Sequence, residues 1–137
     1  MEYKVEYVDS IDVEEVQRLR AATGLRRHST EGDSIASRNS ICDVVAKTEA
    51  GEVVGMGRLI GDGGTFCVLT NVCVLPEHQR KGVGTMVMEK IASFMEEKLP
   101  KNCFICLLST PEGKRFYEKF GYTETSAINR TAMFMRT

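Results

Sequence analysis

The sequence contains no run of about 18 uncharged apolar residues, which is the minimum length of a membrane-spanning helix. Its first residues, Met1-Glu2-Tyr3-Lys4-Val5-Glu6, alternate charged with apolar side chains and lack the apolar centre of a secretory signal. We therefore expect a cytoplasmic protein with no membrane partner.

An excess of basic residues is also missing. The 18 lysines and arginines are balanced by 19 aspartates and glutamates, so the formal net charge is -1. A nucleic-acid-binding protein needs surplus positive charge to displace counterions from phosphates. The composition therefore predicts no nucleic-acid partner.

Paired cysteine motifs of the kind that bind zinc are absent. The five cysteines are an odd number, and the one Cys-x-x-Cys spacing, Cys103-Phe104-Ile105-Cys106, has no matching second pair. Residues three apart on a strand face opposite sides of the sheet, so we interpret these cysteines as small apolar side chains in a reduced compartment. We expect no metal site.

Linkers, repeats and low-complexity tracts are absent as well. A chain of 137 residues is long enough for one hydrophobic core and too short for a second. Its 42% hydrophobic and 27% charged residues are typical of a soluble globular protein. We therefore predict a single domain over residues 1–137.

The most informative stretch joins an apolar run to an amphipathic one. Residues 66–75 are β-branched and apolar, as in a strand covered on both faces, and Pro76 ends the ladder because it lacks an amide hydrogen. The apolar residues that then recur at helical spacing are Val83, Val87, Ile91, Phe94 and Met95. The sequence predicts a strand, a loop and a helix.

The loop between them has the features of a phosphate site. Gly82 and Gly84 allow the backbone to approach a ligand closely, and the first amides of the following helix have no partner inside it. A pyrophosphate fits there without a metal, and Arg80 and Lys81 add positive charge. A nucleotide-binding P-loop is a worse match because no Gly-Lys-Ser/Thr follows, and the dinucleotide fingerprint lacks its third glycine.

The segment Gln79-Arg80-Lys81-Gly82-Val83-Gly84 resembles the acetyl-CoA loop of the GCN5-related N-acetyltransferase (GNAT) family, Gln/Arg-x-x-Gly-x-Gly/Ala. A second segment, Phe116-Tyr117-Glu118-Lys119-Phe120-Gly121-Tyr122, resembles the family's Phe-Tyr-x-x-x-Gly-Phe/Tyr motif. The two motifs stand in the family's order and cover the C-terminal half. The N-terminal half matches only in its order of strands and helices.

The resemblance implies an α/β (α+β) fold of the GNAT type. Its central mixed, mostly antiparallel sheet would have six to seven strands, about four helices, and a splay between the fourth and fifth strands. The strands expected from the residues are 3–8, 41–48, 53–60, 66–75 and 104–108, a sixth that starts at 122–124, and 132–136. Helices are expected after a capping box at Asp12 and Glu15, over 30–39, after the loop, and from Pro111. Gly55 and Gly57 inside the third strand indicate either a bulge or a close-lying ligand.

The resemblance also implies the site. Acetyl-CoA would be the cosubstrate, and the residues expected to bind it are Val72, Cys73, Val74, Gln79, Arg80, Lys81, Gly82, Val83, Gly84 and Thr85. Tyr117 would protonate the departing thiolate; its alternative is a packing aromatic beside Phe116 and Phe120. Arg26, Arg27 and His28 would border the acceptor groove; their alternative is a solvated basic turn.

A general base is the part of the mechanism that the sequence does not show. Several family members carry a glutamate early in the central strand, but Cys67-Val68-Leu69 contains no acid, which leaves a water held by Thr70 and Asn71 as a hypothesis. Cys73 is a candidate acyl-carrying nucleophile, although we favour direct attack because no histidine is placed to ionise it. His78 is interpreted as a surface residue.

We therefore predict an acetyl-CoA-dependent N-acetyltransferase that moves an acetyl group directly to a primary amine of a small molecule or protein. The alternatives are a non-catalytic acyl-CoA-binding regulatory domain and a glucosamine 6-phosphate acetyltransferase, although the Leu-Asp-Cys signature of the latter is missing from residues 104–108. The acceptor's identity and the oligomeric state stay open, with a homodimer as one candidate.

Overall fold

Five β-strands form one sheet in the computed structural model, which describes residues 2–137. They lie side by side in chain order: β1 (Tyr3–Val8), β2 (Cys42–Thr48), β3 (Val53–Gly61), β4 (Phe66–Val74) and β5 (Phe104–Cys106). The first three pairings are antiparallel, and β5 is parallel to β4. The predicted mixed, mostly antiparallel sheet is confirmed, but it has five strands in the described residues and not six to seven.

The chain divides into two compact units, one ending at Leu107 and one running from Leu108 to Thr137. The first contains the sheet and three helices, α1 (Val13–Ala22), α2 (Thr30–Ala36) and α3 (Val83–Lys98). The second contains one short helix, α4 (Lys114–Glu118). The four expected helices are therefore present, although α2 and α4 are shorter than predicted.

Helix α3 covers one face of the sheet. A β-carbon at Gly57 would lie 2.7 Å from Ile91 Cδ1 and 2.9 Å from Val87 Cγ1, so only glycine lets the helix pack this closely. On the opposite face α1 closes a second apolar layer, whose buried members are Ile11, Val16, Leu19, Val45, Val54, Met56, Cys73 and Leu75. The close neighbour that Gly57 indicated is a helix and not a ligand.

The ends of α1 and α2 are fixed differently. Ser29 caps α2, because its hydroxyl accepts a hydrogen bond from the Gly32 amide at 3.0 Å. The predicted capping box at α1 is wrong: Asp12 makes no side-chain cap, and Glu15 instead forms an ion pair with Arg18. The acidic first turn of α1 still favours that helix start through the helix dipole.

A bulge distorts β4 where it pairs with β3. Met56 pairs with Cys73 and Arg58 with Thr70, so Gly57 faces two residues of β4 in place of one. Asn71, inside the bulge, has a left-handed backbone with φ of 57° and is buried. The bulge turns the second half of β4 relative to the first.

The strands β4 and β5 pair over only three residues. The ladder joins Phe66–Val68 to Phe104–Cys106, and β5 then ends while β4 continues to Val74. Among the described residues, β4 therefore has no ladder partner on this side beyond Val68. This is the predicted splay, and it leaves backbone amides and carbonyls at the edge of β4.

The second unit corrects three sequence predictions. Pro111 opens a 3-10 turn, Pro111–Gly113, and α4 ends at Glu118. The expected strand at 122–124 is absent because the Tyr122 amide donates to the Tyr117 carbonyl and helps to close the end of α4. The expected strand at 132–136 is irregular backbone with no ladder partner among residues 2–137.

Candidate active site

The loop before α3 is built from two left-handed residues. Arg80 has φ of 63° and Gly82, the residue before the helix, has φ of 83°. The Gln79 side chain donates to the Val74 carbonyl at 2.9 Å and so anchors the loop to the end of β4. The loop thus begins directly at the unpaired edge of the sheet.

The first turn of α3 is open to an anion. Gly82 supplies no side-chain cap, and the turn contains no acidic residue, so its amide hydrogens and the helix dipole meet no negative side chain there. Arg80 and Lys81 are exposed beside it. Val83 is fully buried, so only its backbone is available to a ligand. This donor set fits a diphosphate.

His78 lies under the loop, and its interpretation as a surface residue is wrong. The side chain is buried, and the Tyr3 hydroxyl lies 2.8 Å from His78 Nδ1. This hydrogen bond connects the N-terminal strand to the phosphate loop. The sequence did not indicate that His78 is buried, because the residue that bonds it, Tyr3, is 75 positions away in the chain.

The three expected ligand-binding residues of β4 lie on the splayed part of the strand. Val72 and Val74 are half-buried, while Cys73 is buried in the apolar layer under α1. Burial raises the pKa of the Cys73 thiol to about 11, more than the nearby Thr23 hydroxyl and Arg20 lower it. The thiol is therefore protonated at neutral pH, which disfavours a covalent mechanism.

Arg20 connects α1, the following loop and the bulge. Its Nη1 donates to Asn71 Oδ1 at 2.7 Å, and its Nε donates to the Arg26 carbonyl at 2.8 Å. Burial lowers the pKa of Arg20, although the guanidinium keeps its charge. The sequence did not point to Arg20, since a basic residue in the last turn of a helix is ordinarily a solvated one.

The exposed segment Arg26-Arg27-His28 follows this anchor. His28 Nδ1 lies 3.5 Å from Asp33 Oδ1, with the imidazole half-exposed and the carboxylate buried. Asp33 Oδ2 accepts from Gln17 Nε2 at 3.3 Å. The sequence did not indicate that Asp33 is buried, because an aspartate in a short helix is ordinarily solvent-exposed.

A small polar cavity lies between α2 and the sheet. Its lining includes Asp33, Asp43 and Arg58, and its volume of about 10 Å³ is roughly what one water needs. Burial raises the pKa of Asp43, against the opposing charge of Arg58 at 3.5 Å. The nearby Ser40 hydroxyl and Ile11 amide also lower the pKa of Asp43. Neither makes a hydrogen bond of normal geometry, so both Asp43 oxygens lack a hydrogen-bond partner.

Tyr117 lies on α4 in the second unit. It is half-buried, with its ring 5.2 Å from that of Phe116 and 6.2 Å from that of Tyr122. Phe116 also contacts Phe120. The structure thus brings the loop, the edge of β4 and the α1–α2 segment together in the first unit, while Tyr117 belongs to an aromatic cluster in the second.

Two features are absent from residues 2–137. No helix there combines the length and apolar character needed to cross a membrane. No group of three or more histidine, cysteine, aspartate or glutamate side chains is arranged to hold a metal ion.

The chain belongs to the GNAT acetyltransferase family. The family model of the acetyltransferase (GNAT) domain matches residues 40–124, which is more than half of the chain and includes the loop, the bulge and the aromatic motif. An uncharacterized N-acetyltransferase from Pyropia yezoensis is 26% identical over 89% of this chain and 72% of its own length.

Solved structures share the fold. A Staphylococcus aureus protein of unknown function is 25% identical, with a TM-score of 0.90 over 99% of this chain and all of its own. The complex of AAC(6')-Iy with the bisubstrate analogue CoA-S-monomethyl-acetylneamine has a TM-score of 0.71 at 15% identity, covering 100% of this chain and 99% of that one. The second similarity concerns the fold alone.

Proposed function

We propose that this protein is an acetyl-CoA-dependent N-acetyltransferase that transfers the acetyl group directly to a primary amine of a small molecule or protein. The observation that carries the proposal is the pairing of an uncapped helix start with a splayed strand edge, joined by the Gln79–Val74 hydrogen bond. Membership of the GNAT family supports acetyl transfer, and a CoA-linked analogue bound to a protein of the same fold supports the cosubstrate.

In this proposal each segment has one task. The amides from Gly82 to Thr85 and the charges of Arg80 and Lys81 bind the pyrophosphate, without a metal. The backbone of Val72, Cys73 and Val74 has no ladder partner toward β5 and pairs with the pantetheine arm and polarises the thioester carbonyl, apart from the Val74 carbonyl, which already accepts from Gln79. The helix start thereby holds the pyrophosphate, and the sheet edge holds the pantetheine arm and the thioester.

The chemical step follows from the state of Cys73. Because that thiol is buried and protonated, we propose that the amine nitrogen attacks the thioester carbon itself and forms the C–N bond as the C–S bond breaks. Tyr117 gives its proton to the departing thiolate in this scheme. Arg26, Arg27 and His28 face the acceptor.

A calorimetric titration with acetyl-CoA tests the site. Gly84 has a helical backbone that tolerates a side chain, so Gly84→Trp should keep the fold while its indole fills the helix start. We expect at least a tenfold loss of acetyl-CoA affinity with little change in melting temperature. Ala92→Trp adds the same side chain at an exposed position of the same helix and should bind normally.

Two results would contradict the proposal. Equal acetyl-CoA affinity in folded Gly84→Trp and wild-type protein would remove the loop from the site. Tight binding without thiol release, with every amine tried, would favour the non-catalytic acyl-CoA-binding domain. Release with glucosamine 6-phosphate alone would identify the amino-sugar enzyme.

We also propose that the protein pairs with a second copy of itself. The segment near the C-terminus exposes 91% of Met133, 78% of Phe134 and 79% of Met135. Three consecutive large apolar side chains at this exposure are more typical of an association surface than of a free one.

A further inference from the structure

The proposed function requires a group that removes the proton from the attacking amine, and β4 supplies no acid for this. We propose that His28 is that general base and that Asp33 positions it. This assignment rests on the proposed acetyl transfer. It concerns a pair that the chain brings together from the α1–α2 loop and from α2.

Arg20 brings the loop that carries His28 close to the bulge of β4. One guanidinium, that of Arg20, donates both to Asn71 in the bulge and to the carbonyl of Arg26. The Arg26 carbonyl and the Asn71 side chain are therefore separated by a single guanidinium group. His28 follows two residues later, at most roughly 7 Å further along the chain.

Asp33 lies near the same guanidinium, because its carboxylate acts on the charge of Arg20. Arg20 donates to Asn71 and to the Arg26 carbonyl, so it brings the His28–Asp33 pair close to Asn71. This is where β4 has just separated from β5.

The contact with Asp33 suits His28 to act as a base. The buried Asp33 carboxylate lies 3.5 Å from His28 Nδ1 and so favours the tautomer with its hydrogen on Nδ1, which leaves the lone pair on Nε2. Gln17, which bonds both Asp33 and Thr30, holds the carboxylate in place. With half of its side chain exposed, the imidazole is accessible to an acceptor.

The proton inventory then balances. As the nitrogen attacks the thioester carbon, one N–H bond breaks and its proton goes to His28 Nε2, which makes the imidazolium beside the Asp33 carboxylate. The C–S electron pair leaves with the thiolate, which takes a separate proton. The imidazolium afterwards returns its proton to solvent.

The charged groups around the pair come from several elements. The cations are Arg20 of α1, Arg58 of β3 and the neighbouring Arg26 and Arg27; the second carboxylate is Asp43 of β2. Among residues 2–137, Asp33 is the carboxylate in ion-pair contact with His28, at 3.5 Å.

The kinetic test uses His28→Gln, Asp33→Asn and the control Glu31→Gln, which neutralises an exposed carboxylate of the same helix. Propylamine, spermidine and a lysine peptide serve as probe acceptors, with thiol release as the signal. We expect kcat/KM to fall by about 10² to 10⁴ in His28→Gln. Its residual activity should rise with pH as the free amine does, without the inflection of wild type. Glu31→Gln should behave as wild type.

Two further readouts separate a base from a structural residue. Added imidazole should restore part of the activity of His28→Ala, which no structural role explains. In Asp33→Asn, kcat/KM should fall while acetyl-CoA affinity stays normal, and added imidazole should not restore it, because the His28 ring still occupies its place but has lost the group that orients it.

The outcomes distinguish the two proposals. If His28→Gln binds acetyl-CoA normally and keeps the wild-type rate and pH profile, the base assignment is wrong and acetyl transfer stands. If wild type binds acetyl-CoA but acetylates no probe, both fail. If Asp33→Asn keeps the wild-type kcat/KM and pH profile, Asp33 has no positioning role.

Discussion

Tyr117 belongs to the aromatic motif, and its ring also packs against neighbouring rings. The ring packs against Phe116 and Tyr122, so the side chain has a structural role whatever its hydroxyl does. Tyr117→Phe keeps this ring packing and removes the hydroxyl. Acetyl-CoA affinity should therefore be nearly unchanged, while the proposed proton donor is lost.

We expect turnover of Tyr117→Phe to fall by about tenfold to 10²-fold, at or below the low end of general-acid effects, because a thiolate is a good leaving group and water can replace the donor. Steady-state assays with a saturating acceptor measure this. An unchanged rate under conditions where chemistry is limiting would assign Tyr117 to packing alone.

At the scale of secondary structure, Arg20 fastens α1 to the bulge of β4. Arg20→Met would leave the buried Asn71 Oδ1 without its donor, whereas the exposed Arg26 can offer its carbonyl to water instead. One unpaired buried polar group costs about 1–3 kcal/mol, so we expect the free energy of unfolding to drop by roughly 1–3 kcal/mol. Urea unfolding measures the change.

The matched control is Arg18→Met on the same helix. Arg18 is 40% exposed and forms an ion pair with Glu15, a contact that water can replace. Its substitution should cost about 0–1 kcal/mol. Equal losses for the two variants would mean that the buried network adds nothing to stability.

The strands and helices of the first unit could be predicted because their patterns are local. The apolar run at 66–75 and the helical stripe from Val83 need no distant partner to be recognised, and β4 and α3 begin at the residues expected. The loop was found for the same reason, since Gly82 and the charges beside it are consecutive.

Other features could not be predicted because they depend on distant partners. Arg20 meets Asn71, and Tyr3 meets His78, only after the sheet has formed. The segment at 132–136 alternates like a strand, but a strand also needs an edge to pair with, and periodicity does not show whether one is available. The role of His28 as a base could not be predicted either, because the carboxylate that orients it, Asp33, differs from other acidic residues only in being buried.

For the whole molecule, the exposed apolar segment predicts self-association. A Phe134→Ser, Met135→Ser double variant removes most of the apolar area and nothing from the core, because both side chains are about four-fifths exposed. We expect wild type to have the mass of a dimer by light scattering and the variant to have that of a monomer. Leu108→Ser, at a 78% exposed apolar position outside the segment, is the control.

A monomeric wild type at tens of micromolar would contradict the pairing. So would a variant that keeps the dimer mass.

The three-residue ladder between β4 and β5 has a consequence for the order in which the sheet assembles. β2 to β4 follow one another through tight turns, whereas β1 meets β2 and β5 meets β4 only across helices, with Val8 opposite Asp43 and Phe66 opposite Phe104. Closing either long loop lowers the chain's entropy, but six pairs of residues offset the loss at β1 and only three offset it at β5. β5 should therefore join last during folding and detach first under strain, and the cleft that it opens would be the latest part of the protein to mature.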